Sequence, residues 1–151
     1  MLAIRSLLLA ALFSLVAAAS FAQLTVPAPS DVAAPPADAA KTSSGLASKV
    51  IKPGKGAEHP KENDLLLVNW TGWTADGKMF STSFGRGVQT VDLGKMIAGW
   101  KEGVQLMVPG ETRRFWIPEA LAFKGKDPKG MVVYDIELIQ AMPNSKPGGN
   151  Q

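Results

Sequence analysis

The sequence predicts an α+β domain in which a curved antiparallel β-sheet wraps around one short α-helix. Three observations predict it. Met131 to Ala141 alternates, with Val132, Tyr134, Ile136 and Leu138 on one face and Asp135 and Glu137 on the other, the pattern of a half-buried antiparallel strand. Turn-forming pairs, Pro53-Gly54, Asp76-Gly77 and Pro109-Gly110, cut the chain into segments of strand length. Helical spacing occurs at one place, where Ile97, Trp100, Val104 and Met107 recur despite Gly99 and Gly103. A sheet with one apolar face needs a cover, and this helix is the only amphipathic element available to supply it.

Taken in order, Arg5 precedes an apolar stretch from Leu7 to Ala19, followed by Ser20-Phe21-Ala22, the small residues a signal peptidase accepts. Residues 1–22 therefore read as a signal peptide cut before Gln23, since thirteen residues fall short of the ~20 that span a bilayer as a helix. Residues 23–45 hold Pro27, Pro29, Pro35 and Pro36 among alanines with no apolar period, and read as a disordered linker. The domain occupies 46–142. Leu46 to Lys52 is its first strand, stopped by Pro53-Gly54 and followed by a polar loop through Asn63. Leu65 to Thr74 is the second, and the Asp76-Gly77 turn leads to a third at Lys78 to Ser83. Val88 to Leu93 is a further short strand, Ile97 to Leu106 the helix, Glu111 to Ile117 and Met131 to Ala141 the last two strands. Residues 143–151, with two prolines and Gly148-Gly149, read as a disordered tail.

Composition narrows the chemistry. At 151 residues the chain has room for one ordinary domain with extensions. The absence of cysteine excludes a disulfide framework, a lipid-modified cysteine, a thiolate nucleophile and a zinc-thiolate site. Loss of Arg5 with the signal peptide takes the formal charge from +3 to about +2, too small and dispersed for nucleic-acid binding. Arg113 and Arg114 read as solvated strand residues. His59, the only histidine, sits in a Lys/Glu/Pro-rich loop without a metal-ligand companion and reads as a surface residue. There is no Gly-x-Ser-x-Gly elbow, no phosphate-cradling loop and no glycosidase-like carboxylate pair.

Four blocks carry more. They are Val68-Asn69-Trp70-Thr71-Gly72-Trp73, Asp76-Gly77-Lys78-Met79-Phe80, Met96-Ile97-Ala98-Gly99-Trp100 running on to Met107, and Ile117-Pro118-Glu119-Ala120-Leu121-Ala122-Phe123. In order and approximate spacing they resemble the FKBP-type peptidyl-prolyl cis-trans isomerases, over roughly Leu46 to Met142. The resemblance implies the same architecture, no metal or organic cofactor, and an apolar pocket for a prolyl ring. Trp100 would be the pocket floor, Phe80 and Tyr134 its walls, Phe123 a further catalytic position, and the Ile97 N–H a donor to a substrate carbonyl. Trp70, Ser81, Val91 and Met96 would complete the substrate-binding surface. Read without the resemblance, these side chains also fit the core of a small domain, each burial being worth ~1.5–3 kcal/mol.

The chain also departs from the family pattern. Ser81 stands where an aspartate is usual, Trp70 where a tyrosine is usual, and Phe123 where a tyrosine hydroxyl usually meets a substrate carbonyl. Gln89 replaces an apolar or aromatic residue, and the loop from Lys124 to Met131 is shorter and lacks an apolar tip. With the signal-peptide pattern, and with an Ala/Pro linker unlike a helical dimerisation region, the resemblance implies an exported, periplasmic, monomeric isomerase acting on proline-containing clients that fold there. Weakened activity and weak macrolide binding are expected from the departures. The alternative is a proline-segment-binding chaperone or adaptor whose catalysis is vestigial.

Overall fold

The computed structural model describes residues 24–145; the predicted signal peptide, and residues 146–151 of the predicted tail, lie outside the described residues. Seven strands form one antiparallel sheet: β1 (Ala40–Lys41), β2 (Ala47–Lys52), β3 (Leu65–Thr74), β4 (Met79–Thr82), β5 (Gln89–Asp92), β6 (Thr112–Ile117) and β7 (Val132–Met142). Their order is β1-β2-β6-β7-β3-β4, with β5 also on β3. The central pair is β3 with β7, joined from Leu65↔Met142 to Thr74↔Val132 with one slip between Leu67 and Val68. β5 takes the first half of β3's other edge and β4 the second half, so the chain between them must leave the sheet.

One helix, α1 (Ala98–Val104), crosses the inner face. It starts one residue later and stops two residues earlier than the periodicity predicts. Its Trp100 and Val104 are buried with Leu66, Val68, Ile136 and Leu138 in the main core. The two glycines that weaken α1 as a helix are what let it lie there. A Cβ on Gly99 would stand 2.4 Å from Ile117 Cγ2, and one on Gly103 2.6 Å from Phe115 Cε1, both on β6.

The outer face is not left to solvent. Residues 24–45, predicted as a disordered linker, instead dock on it: Val26, Ala28, Val32 and Ala39 pack against Trp73, Trp116 and Val133. The cause lies in two indoles that point outward and need acceptors. Trp73 Nε1 donates to Val26 O at 2.9 Å, and Trp116 Nε1 to Asp31 O at 2.9 Å. A proline- and alanine-rich segment of short turns, outside helix and strand over most of its length, has carbonyls to spare. Its end pairs as β1 with β2, and Ser44 Oγ donates to the Glu102 carboxylate of α1 at 2.7 Å.

Nor are the two arginines simply solvated. Arg114 makes two bonds to Asp135, at 2.6 and 2.8 Å, and one to Asp31 at 2.8 Å. The Asp135 hydrogen bond raises the Arg114 pKa above its ordinary value. Arg113 Nε donates to buried Glu111 at 2.6 Å. His59 is exposed, as expected, with its Nδ1 2.9 Å from Met107 O.

Candidate active site

The inner face carries a continuous run of aromatic rings, each meeting the next edge to face. Trp70 of β3 lies 5.9 Å from Trp100 of α1, and Trp100 lies 5.4 Å from Tyr134 of β7. Phe80 of β4 follows, 5.5 Å from Tyr134 and 5.9 Å from Phe123, which sits beyond β6. Such contacts are worth ~0.5–1.5 kcal/mol each beyond area burial. Gly72 makes the run continuous, because a Cβ there would stand 2.7 Å from Tyr134 Cε1 and 3.1 Å from Phe80 Cζ. Val91, Met96 and Ile97 pack against the same cluster, partly buried.

Eight of the nine predicted site residues therefore meet in one cluster. The ninth, Ser81, joins through Trp70, whose Nε1 donates to Ser81 Oγ at 2.9 Å. The tryptophan and serine that depart from the family's usual tyrosine and aspartate thus satisfy each other. Gln89, the other departure, points into its own loop, its Nε2 donating to the carbonyls of Arg86 and Gly87 at 3.2 and 3.0 Å.

Three polar groups of the cluster are uncommitted. Trp100 Nε1 is buried without a hydrogen-bond partner. The Ile97 N–H, at the cap of α1, has no protein acceptor among the described residues. Burial raises the Tyr134 phenol far above its ordinary pKa, so it stays a protonated donor at any physiological pH. Trp100 is only 1% exposed, so a ring seated on it must first part the partly buried side chains around it.

Sequence reasoning missed Ser83 and Arg86. Ser83 is fully buried and stands in for a strand where β4 and β5 part. Its Oγ accepts from Trp70 N at 2.9 Å and its N–H donates to Trp70 O at 2.9 Å. Arg86 holds its guanidinium 5.9 Å from the centroid of the Trp70 ring and donates to Thr82 O at 2.5 Å. The signal for Ser83 was a polar residue closing a predicted strand; for Arg86 there was none beyond a lone cation between two glycines. At the far end of the ring run, Glu119 closes the short 124–130 loop by accepting from Gly130 N at 2.6 Å.

A groove of about 510 Å³ occurs on the other face of the sheet. Its floor includes Asn69, Thr71 and Glu137, and Val26 and Phe84 help to wall it. By strand alternation these floor positions turn away from the Trp100 cluster, and Trp70, which also lines the groove, is the residue the two share.

A sheet half-wrapped on one glycine-containing helix, with an aromatic-lined inner face, is the architecture expected of a prolyl-isomerase class of domain. The family model described as FKBP-type peptidyl-prolyl cis-trans isomerase matches residues 56–139, and the chain belongs to that family. FkpA of Aeromonas hydrophila, an FKBP-type isomerase, is 40% identical over 115 residues, 72% of this chain and 42% of the relative. A peptidyl-prolyl cis-trans isomerase of Schizosaccharomyces pombe is 32% identical over 63% of this chain and 93% of the relative. The crystal structure of Escherichia coli FkpA superposes with a TM-score of 0.66 at 32% identity, covering 72% of this chain and 53% of that one. An isomerase structure from Pseudomonas syringae gives 0.65 at 29% identity, covering 72% and 84%. The chain spans about two fifths of the length of its FkpA relatives.

Proposed function

We propose that the protein catalyses cis-trans isomerisation of Xaa-Pro bonds, and the observation that carries this is the edge-to-face ring run centred on Trp100. The reaction breaks no covalent bond. Its barrier of ~18–20 kcal/mol is the amide's partial double-bond character, and spontaneous exchange takes ~10–100 s. An apolar pocket disfavours the charge-separated resonance form, and a twisted amide that has lost resonance fits it better than a planar one. Trp100 is the platform for the prolyl ring, Phe80, Phe123 and Tyr134 its walls, and Trp70, Ser81, Val91 and Met96 the flanking surface. The Ile97 N–H donates to a substrate carbonyl. No cofactor takes part.

The test is exchange of a proline tetrapeptide followed by NMR. Trp100→Ala lowers turnover and peptide binding further than its stability loss explains, whereas Trp100→Phe and Trp100→Leu keep apolar bulk and retain much more activity. Full activity in all three folded variants would refute the assignment.

The cellular reading extends this. The Arg5, Leu7–Ala19 and Ser20-Phe21-Ala22 pattern supports export, so the clients are proline-containing proteins folding in the periplasm, met by a monomer. Among the described residues no helix is long and apolar enough to cross a membrane, and no cluster of His, Cys, Asp or Glu is suited to a metal. Macrolides of the kind this family binds are held weakly, because Phe123 offers no hydroxyl and the 124–130 loop no apolar flap. A second reading, a proline-segment-binding chaperone or adaptor with vestigial catalysis, is favoured by Phe123, which offers no hydroxyl, and by Ser81, whose Oγ is taken up by the Trp70 indole. Peptide binding without turnover would establish it.

A further inference from the structure

We infer that the pocket selects client segments carrying an acidic residue beside the proline, with Arg86 the residue that reads it; the inference rests on the prolyl pocket proposed above. The ring run Trp70, Trp100, Tyr134, Phe80, Phe123 has a cation at each end. Arg86 stands over Trp70, and exposed Lys124 follows Phe123. Arg86 takes part in no ion pair among the described residues, and its guanidinium makes one hydrogen bond, to Thr82 O, besides its contact with the Trp70 ring. A guanidinium has five N–H donors in a planar fork suited to a carboxylate, so most of Arg86's recognition capacity is unspent.

The acids that line the groove beside its loop are engaged elsewhere, Asp135 by Arg114 and Glu137 by Asn69 Nδ2. Ser81, on the other side of Trp70, is neutral and bonded to the indole. At the opposite end, the exposed lysines of 124–130, Lys124, Lys126 and Lys129, outnumber Asp127, and the Glu119 carboxylate is engaged by the Gly130 N–H. The geometry lets one client residue bridge the gap. Arg86 Cζ to the Trp70 ring and Trp70 to Trp100 are steps of 5.9 Å each. One Cα step of about 3.8 Å from the proline, an extended glutamate and a hydrogen bond cover that span. The Trp70 ring beneath the cation holds it in place and lowers what it loses on pairing.

The test uses the whole protein and two tetrapeptide series, in which the residue before or after the proline is Glu, Gln or Lys, followed by NMR exchange. At low ionic strength of ~0.02 M, Glu is turned over about fivefold faster than Lys in at least one series, and the ratio falls toward unity above ~0.5 M salt. Arg86→Lys keeps a preference, Arg86→Gln reduces it, and Arg86→Glu inverts it. Equal rates for Glu and Lys in both series, or a preference unmoved by Arg86→Glu, would overturn the inference. If no peptide is turned over, the catalytic reading fails, and the same Glu-to-Lys comparison is then made on dissociation constants. Equal affinities there overturn the inference, and a Glu preference lost in Arg86→Glu upholds it.

Discussion

Phe123 brings no hydroxyl to the ring run, and Tyr134, the chain's only tyrosine, brings one. The two rings flank Phe80 at 5.9 and 5.5 Å, so the hydroxyl is displaced across one ring rather than lost from the pocket. Tyr134→Phe is expected to slow turnover by up to about tenfold, the ~0.5–1.5 kcal/mol of one neutral hydrogen bond, with near-native circular dichroism. Its stability effect has a defined pH window. Burial raises the folded-state pKa of Tyr134 above the ordinary 10.0, so below pH 10.0 the phenol is protonated in both states and contributes no slope. Above it the unfolded chain releases the proton first, and the wild type loses stability that Tyr134→Phe does not. Thermal unfolding of both proteins from pH 8 to 11 checks this, and parallel curves would contradict it. Trp70 and Ser81 make a similar point: two departures that look like separate losses in the sequence form one hydrogen-bonded pair at 2.9 Å.

For α1 the decisive contact is with β6. Alanine favours a helix over glycine by ~1 kcal/mol, but a Cβ at Gly103 would stand 2.6 Å from the Phe115 ring, itself 1% exposed and held in the core. Overpacking costs ~1–3 kcal/mol, so Gly103→Ala is expected to lower the urea midpoint with an unchanged slope; a raised midpoint would show that α1 can lift off β6. The elements legible in the sequence were those with a local signal. β3 was bounded correctly by its apolar run and the Asp76-Gly77 turn, and β7 was found to within one residue at each end by its alternation of Val132, Tyr134, Ile136 and Leu138. Docking of 24–45 was illegible because Val26, Ala28, Val32 and Ala39 follow no period, and their partners lie far along the chain. A clue existed in Trp73, Trp116 and Val133. All three alternate with core residues onto the supposed solvent face, and none of them is suited to water. The inner-face cluster was legible through Trp100 and its neighbours, whereas Ser83 and Arg86 join it through geometry that spacing does not encode.

As a whole, the molecule has a core on each face of one sheet, the larger beneath α1 and the smaller beneath the N-terminal segment. The second core makes 24–45 part of the folded unit. Limited proteolysis with a broad-specificity protease is expected to leave a fragment starting upstream of Val26, and rapid cutting between Ser30 and Ser44 ahead of the sheet would contradict that. The four indoles are shared between these faces. Trp73 and Trp116 are clipped to carbonyls on the outside, while on the inside Trp70 bonds a serine and Trp100 bonds nothing. Indole emission shifts to longer wavelength as the ring meets water, so the two pairs form a built-in optical record of two separate events. Lifting of the N-terminal segment wets Trp73 and Trp116, while a peptide on the inner face alters Trp70 and Trp100. Replacing one pair with phenylalanine leaves each face to report alone.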